Sequence, residues 1–128
     1  MSTGGSADRA CVLVVDDEDD IREALLEAVE MAGCTAMSAP NGAIALEILR
    51  TRRPCLVILD LRMPVMTGQE MLAVMQSDPE LSRLRVVIST SCPTHAPSGV
   101  PVLPKPIDIE KLFALVRQSC TCGRTSAT

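Results

Sequence analysis

Two segments, residues 11–15 and 55–59, are runs of apolar residues without alternation, which are typical of strands buried on both faces of a sheet, and three further short segments also predict strands. The predicted strands span residues 11–15, 35–39, 55–59, 84–89 and 100–103. Between most of them, apolar residues recur at helical spacing, so that Ile21, Leu25 and Val29 share one helix face. This alternation of strands and helices predicts an α/β domain whose parallel sheet lies between two helix layers.

The helices are predicted from this spacing and from residues that favour helix ends. They begin with Asp19 or Asp20 as a cap, after Gly42, at Thr67, and with Asp108 as a cap. Residues 91–99, between the fourth and fifth strands, hold two prolines and a glycine, which is too broken for an amphipathic helix. That connection is also close to the shortest crossover that a parallel pair allows. We therefore predict that its helix is absent or reduced to a turn.

Composition narrows the class of protein. The chain has 128 residues, enough for one domain with a real core, and Phe113 is its single aromatic residue. The formal net charge of −4 argues against direct binding of nucleic acid. No apolar run is long enough to span a membrane. Residues 1–9 are polar, unlike a signal peptide, and are predicted to be a disordered lead.

The six cysteines lack the spacing of a metal finger, and we expect those beside apolar segments to act as small hydrophobic side chains in a reducing cytoplasm. Cys120 and Cys122 suit a redox or metal pair, but a frayed helix end is the more ordinary interpretation of their position. Residues 121–128 are predicted to be a polar tail.

The polar residues that stand out all follow predicted strands. Asp16 and Asp17 follow the first strand, Asp60 the third, Thr90 the fourth and Lys105 the fifth. The carboxyl ends of parallel strands meet at one sheet edge, and ligand sites form there where the strand order reverses. In the common order 2-1-3-4-5 the first and third strands are neighbours. The three carboxylates are then expected to converge, with Thr90 and Lys105 on the far side of Asp60.

Three ionised carboxylates a few ångströms apart repel each other by roughly 4 kcal/mol per pair at an effective dielectric of about 20. Such a cluster needs a cation, and all-oxygen ligands with few protein donors favour Mg²⁺, which keeps several of its waters. Each residue also has an ordinary explanation: Asp60 as a loop cap, the acidic run 16–20 as a solvated helix start, and Lys105 as a surface lysine. Their agreement on one sheet edge favours the metal site.

Four sequence pieces match a known family. They are Val14-Val15-Asp16-Asp17, Leu59-Asp60-Leu61-Arg62-Met63-Pro64 with Gly68, Val87-Ile88-Ser89-Thr90, and Lys105-Pro106. In order, and each at a strand end, they resemble the receiver domain of bacterial response regulators over residues 10–120. The resemblance implies a flavodoxin-like sheet of five parallel strands and a stand-alone receiver in a two-component phosphorelay.

The resemblance also implies roles for the acidic residues. Asp60 would be the phosphoacceptor, a carboxylate nucleophile that takes a phosphoryl group from the phosphohistidine of a histidine kinase or a phosphotransfer protein. Asp16, Asp17 and Asp60 would hold Mg²⁺ together with the backbone carbonyl of Arg62. Such a protein is not an enzyme, since it promotes only its own phosphorylation and dephosphorylation, and it would signal by contact with a downstream protein.

On the other side of the site, the family assigns Thr90 a hydrogen bond to one phosphoryl oxygen and Lys105 an ion pair with another. It also implies a cis peptide bond between Lys105 and Pro106. The chain departs from the family at Val102, where an inward-facing aromatic residue commonly takes part in relaying phosphorylation.

Two alternatives stay open at this point. Because the relay aromatic and the helix over residues 91–99 are both missing, the chain is also compatible with a receiver-like binding module that acts without phosphorylation. The second alternative is a phosphatase of the haloacid-dehalogenase type, which also uses an Asp nucleophile. That family needs an acid two residues after the nucleophile, where this chain has Arg62.

Overall fold

The structure is a computed structural model, and it describes residues 12–119. Its strands are β1 Val12–Val15, β2 Ala36–Ala39, β3 Leu56–Asp60, β4 Val86–Thr90 and β5 Val102–Pro104. They form one parallel sheet in the order β2-β1-β3-β4-β5. The α-helices of this part of the chain are α1 Asp19–Met31, α2 Gly42–Leu49, α3 Gly68–Ser77 and α4 Ile109–Ser119. The predicted α/β class, the parallel sheet and the strand order are confirmed.

The two central strands explain the unbroken apolar runs. Every residue of β1 and β3 is buried, because helices cover both faces of the sheet. Alternate side chains enter two separate cores. Val12 and Val14 face the core beneath α1 and α4, whereas Leu13 and Val15 face the core beneath α2 and α3. The sheet is therefore held from both sides at the strands that carry the acidic residues.

The start of α1 differs from the prediction. The N-cap position is Glu18, without a side-chain cap, whereas Asp19 and Asp20 lie inside the first turn. The carboxylate of Asp16 accepts the backbone N–H of Glu18 at 2.9 Å, so the turn before the helix is closed by Asp16 instead. Asp108 does cap α4, since its side chain accepts the N–H of Glu110 at 2.9 Å.

The connection between β4 and β5 contains no α-helix, as predicted. It forms only a 3₁₀ turn, Pro93–His95, in which the N–H of Ala96 donates to the carbonyl of Pro93 at 3.1 Å. Ala96 and Val100 pack against the core beneath α2 and α3 and partly fill the place of a helix. Every other connection between consecutive strands of the described chain carries an α-helix.

Several predictions fall on residues outside 12–119, the part that the structure describes. These are the disordered lead 1–9, the polar tail 121–128 and the pair Cys120 and Cys122, and the domain limits 10–120 likewise stay a prediction. Within the described residues the longest helix, α1, has 13 residues, and none has the length and apolar character needed to cross a membrane.

Candidate functional site

The acidic residues meet at the carboxyl edge of the sheet. Val15 pairs with Leu59 in the register of β1 and β3, so the next residues along, Asp16 and Asp60, lie side by side. Both are buried, with 1% and 5% of their surface exposed, whereas Asp17 is exposed. Each of the three offers a carboxylate oxygen, and these oxygens lie within 4.8 Å of one another. The strands thus create a cluster of three carboxyl groups, two of which are largely removed from water.

The ammonium group of Lys105 faces this cluster. Lys105 directly follows β5, and its Nζ donates to Oδ2 of Asp16 at 3.0 Å. The same nitrogen lies 3.6 Å from Oδ1 of Asp60 and 3.9 Å from Oε1 of Glu18. The Lys105–Pro106 peptide bond is cis, as the family resemblance implied. The ammonium therefore offsets part of the repulsion among the carboxylates.

The loop after β3 is in close contact with Asp60 and with the backbone at the end of the strand. The backbone N–H of Arg62 lies 3.4 Å from Oδ1 of Asp60, and the N–H of Gly68 donates to the carbonyl of Leu61 at 3.0 Å. A Cβ atom at Gly68 would lie 2.8 Å from the Cα of Leu61 and would overlap the carbonyl oxygen of Asp60. Glycine is required here for space, because α3 begins directly against the strand end.

The surroundings shift the pKa values of two groups. Burial first, and then the charge of Asp16, raise the pKa of Asp60 from 3.8 to about 6, although Lys105 and the Arg62 N–H oppose the shift. For Lys105 burial acts to lower the pKa, but the hydrogen bond and charge of Asp16, followed by Asp60, raise it overall. Asp60 is thus a carboxylate whose charge is poorly solvated, and Lys105 is a firmly protonated ammonium.

Thr90 ends β4, the strand next to β3. It is buried, and its hydroxyl oxygen accepts the backbone N–H of Cys92 at 3.0 Å. Its carbonyl accepts the N–H of Lys105 at 2.9 Å. Thr90 therefore connects the site to the start of the helix-free loop and to the residue after β5.

Two residues contribute to the site that sequence reasoning missed. Glu18 approaches Lys105, as described above, and its backbone is held by Asp16. Arg22 donates through Nη1 to the backbone carbonyl of Asp16 at 2.8 Å and pairs through Nη2 with Asp19 at 2.5 Å. The sequence feature that could have indicated both residues is the acidic run 16–20 at the start of α1. Arg22 lies one turn into that helix, so its side chain can reach back to the end of β1.

Comparison with known proteins decides the family. The family model for the response regulator receiver domain matches residues 12–117, which is nearly all of the described chain. The chain belongs to the response regulator receiver family. Its five-stranded sheet and the acidic cluster at the carboxyl edge are the receiver fold with its acidic pocket. This membership favours the receiver over the phosphatase alternative, as does Arg62 at the position where that alternative needs an acid.

The chain is similar to a part of larger regulators. It is 34% identical over 116 residues to the DNA-binding transcriptional regulator NtrC of Escherichia coli, covering 87% of this chain and 25% of that protein. It is 31% identical over 111 residues to the response regulator MprA of Mycobacterium ulcerans, covering 83% of this chain and 48% of that protein. The chain thus spans between a quarter and a half of the length of these relatives.

Solved structures give the same fold. The chemotaxis protein CheY4 of Vibrio cholerae superposes with a TM-score of 0.75 at 26% identity, covering 88% of this chain and 99% of that chain. A response regulator receiver protein from Pseudomonas putida superposes with a TM-score of 0.74 at 30% identity, covering 86% of this chain and 97% of that chain. In both, the receiver is matched over almost its whole length.

Proposed function

We propose that this receiver accepts a phosphoryl group on Asp60 from the phosphohistidine of a histidine kinase or a phosphotransfer protein, with Mg²⁺ bound beside it. The observation that carries the proposal is the meeting of Asp16, Asp17, Asp60 and Lys105 at one sheet edge, in a member of the receiver family. Chemically, the edge combines a buried carboxylate that can act as a nucleophile, further carboxylates for a cation, and an ammonium group for a phosphate oxygen.

The donor set fits Mg²⁺. Asp16, Asp17 and Asp60 offer carboxylate oxygens within 4.8 Å of one another, and no nitrogen or sulfur ligand belongs to this cluster. The backbone carbonyl of Arg62 is the fourth protein ligand that we assign. When bound, Mg²⁺ supplies positive charge between the carboxylates and the oxygens of the incoming phosphoryl group.

The transfer itself uses an oxygen of Asp60. This oxygen attacks phosphorus, the bond from phosphorus to the histidine nitrogen breaks, and the electron pair of that bond returns to the imidazole ring, leaving an acyl phosphate on Asp60. With a pKa of about 6, Asp60 is mostly ionised at neutral pH and ready to act as the nucleophile. Because it is buried, the carboxylate has little hydration to lose before it reacts.

Two further groups act on the phosphoryl oxygens. Lys105 reaches Asp16 and Asp60 in this structure, and we propose that it moves its ammonium to a phosphoryl oxygen when the group arrives. The hydroxyl of Thr90 already accepts the N–H of Cys92, and its own proton is available to donate to another phosphoryl oxygen.

The test is to incubate the protein with Mg²⁺ and acetyl phosphate and to measure its intact mass. The wild type should gain one phosphoryl group, and Asp60→Asn should gain none, because the amide keeps the shape but is not a nucleophile. Chelation of Mg²⁺ should abolish the gain in the wild type. Labelling of Asp60→Asn at the rate of the wild type would refute the assignment.

We further propose that the phosphorylated receiver signals by contact with a downstream protein in the cytoplasm, and binds neither nucleic acid nor membrane directly. One observation favours a second function, a binding module that acts without phosphorylation: the β4–β5 connection has only a 3₁₀ turn, and Val102 occupies the relay position. A wild type that takes up no phosphoryl group from acetyl phosphate, yet keeps its fold, would favour this second function.

A further inference from the structure

A row of four residues crosses the sheet at the level of the acidic site. Asp60 of β3 is the cross-strand partner of Ser89 of β4, and Ser89 is the partner of Leu103 of β5. Asp16 follows Val15 and continues the row on the other side of Asp60. Partners in a parallel register point their side chains to the same face of the sheet. Ser89 therefore lies beside Asp60, on the face that also carries Asp16.

The Ser89 side chain is the one member of this row whose polar group has no partner. Ser89 is fully buried, and its hydroxyl makes no hydrogen bond. Within residues 12–119 the only other buried side-chain oxygen or nitrogen in this condition is the hydroxyl of Ser119 in α4. A buried hydroxyl without a partner destabilises a protein, and an apolar side chain would fill the same space without that cost.

The neighbouring carboxylate of Asp60 has only long contacts with its donors. Oδ1 of Asp60 has the N–H of Arg62 at 3.4 Å, which is long for a hydrogen bond, and Nζ of Lys105 at 3.6 Å, which is outside hydrogen-bond range. An ionised carboxylate can accept about four hydrogen bonds. A hydroxyl that lacks a partner thus lies on the strand next to a carboxylate that can accept further hydrogen bonds.

The separation allows the two groups to meet. Neighbouring strands are about 4.8 Å apart, and a serine hydroxyl moves between three staggered positions by rotation about one bond. A hydrogen bond between the Ser89 hydroxyl and the Asp60 carboxylate would require this rotation but no change in the register of the strands. A hydrogen bond from a hydroxyl to an ionised carboxylate is among the stronger ones in proteins.

We propose that Ser89 is a positioning residue of the phosphoacceptor site, whose hydroxyl donates to the Asp60 carboxylate and fixes its plane when the site binds Mg²⁺ and takes up the phosphoryl group. This inference rests on the proposed function. A fixed carboxylate plane presents one oxygen to the cation and the other to phosphorus, so Ser89 acts through Asp60 and touches neither directly.

Ser89→Ala and the matched control Ser119→Ala test the proposal. Each removes a buried hydroxyl that has no partner, so neither should lower the melting temperature in metal-free buffer. Ser89→Ala should weaken the binding of Mg²⁺, measured by calorimetry, by about threefold to tenfold, the effect of losing one hydrogen bond. Its phosphorylation by acetyl phosphate should slow by a similar factor, whereas Ser119→Ala should match the wild type in both measurements.

Two further variants separate positioning from packing. Ser89→Thr keeps the hydroxyl and should restore most of the Mg²⁺ affinity. In an Asp60→Asn background, Ser89→Ala should have no further effect on Mg²⁺ affinity, because the carboxylate on which the hydroxyl acts is gone. Wild-type Mg²⁺ affinity in Ser89→Ala, or an equal loss with and without Asp60→Asn, would overturn the proposal.

The outcomes for Ser89 and for the function can be distinguished. A wild type that takes up no phosphoryl group, combined with weaker Mg²⁺ binding in Ser89→Ala, would refute the phosphoacceptor role of Asp60 and keep Ser89 as a positioning residue. Normal phosphorylation of the wild type, with Ser89→Ala equal to it in both measurements, would refute the role of Ser89 alone.

Discussion

Two of the connections that leave the site, β3–β4 and β4–β5, are built very differently. The β3–β4 connection starts at Asp60 and contains α3, whose first turn is closed by a capping box between Thr67 and Glu70. The β4–β5 connection starts at Thr90 and contains only the 3₁₀ turn Pro93–His95. Both connections begin at the same sheet edge, so Asp60 is followed by a segment that contains a helix and Thr90 by a loop without one.

Packing separates the two connections further. Met71, Leu72 and Met75 of α3 are buried in the core, and Gly68 lies against the backbone of β3. In the β4–β5 connection only the 3₁₀ turn, a few contacts of Ala96 and Val100 with the core and one hydrogen bond to Thr90 hold the chain. Segments with few buried contacts open at low free energy. Asp60, the phosphoacceptor that we propose, therefore lies on the more firmly packed side of the site, and the loop that follows Thr90 is expected to open more easily.

The largest expected effect is at the two glycines, one in each connection. Gly68→Ala would place a methyl group against the backbone of β3, so we expect a loss of stability of about 3 kcal/mol or more. Gly99 has a φ of 83° with nothing within 4 Å of a Cβ, so Gly99→Ala should cost only about 1–2 kcal/mol for the backbone conformation. Urea unfolding of both variants measures the difference.

The same pair of variants can break the comparison. Equal losses of stability in Gly68→Ala and Gly99→Ala would mean that the loop after β3 accommodates a methyl group as easily as the loop after β4. The rate of phosphorylation adds a second measure, because Gly68→Ala should displace Asp60 and slow the reaction, whereas Gly99→Ala should leave the rate unchanged.

The sequence was sufficient to predict most of the fold, and the reason is visible in β1 and β3. A strand that is buried on both faces must be apolar throughout, so its ends are marked wherever a charged residue appears. Asp16 and Asp60 stand at those ends, and the strand order 2-1-3-4-5 makes them neighbours. The missing helix was equally predictable, because prolines exclude it on local grounds.

Other features depend on tertiary contacts and could not be predicted in this way. The prediction that Asp19 or Asp20 caps α1 was wrong, because the helix begins earlier, with Glu18 at the N-cap position. The carboxylate of Asp16, which lies before the helix, accepts the N–H of Glu18, and this contact depends on the position of the strand end. Val65 adopts a φ of 70° in the loop after β3, which a β-branched residue rarely does and which no local pattern indicates. In the sequence Ser89 has the features of an ordinary strand residue, and only the register of β3 and β4 shows that it lies beside Asp60.

The second prediction tests whether the ionised carboxylate of Asp60 lowers the free energy of unfolding. Folding raises the pKa of Asp60 from 3.8 to about 6, so the folded state binds the proton more tightly than the unfolded state between these values. Ionised Asp60 therefore lowers stability at neutral pH, and this loss is regained as the pH falls through about 6 towards 4. In metal-free buffer at about pH 7, Asp60→Asn should be more stable than the wild type by up to about 3 kcal/mol.

The pH dependence is the deciding part of this measurement. The stability difference between Asp60→Asn and the wild type should shrink as the pH approaches 4, and added Mg²⁺ should narrow it at neutral pH by stabilising the wild type. A difference that is independent of pH in chelator would show that the substitution acts through packing and not through the charge of Asp60.

The smallest change in stability is expected on the loop side, with the clearest effect on dynamics. The Thr90 hydroxyl accepts the N–H of Cys92, so a phosphoryl group that draws Thr90 inward should also draw in the start of the loop over residues 91–99. Pro93 and Pro97 stiffen this loop in advance, which lowers the entropy lost on ordering. We predict that phosphorylation or beryllofluoride raises amide protection over residues 91–99 and leaves α4 nearly unchanged.

Substitutions at Thr90 show whether the hydroxyl transmits this change. Thr90→Ala should cost about 1 kcal/mol for the lost hydrogen bond, remain able to take up the phosphoryl group, and show no rise in loop protection. Thr90→Ser keeps the hydroxyl and should behave as the wild type in hydrogen exchange. If amide protection changed only over α4, and residues 91–99 were equally protected with and without the phosphoryl group, the loop would not be the segment that responds to phosphorylation. If Thr90→Ala gained the same loop protection as the wild type, the loop would respond to the phosphoryl group through Lys105, whose N–H binds the Thr90 carbonyl.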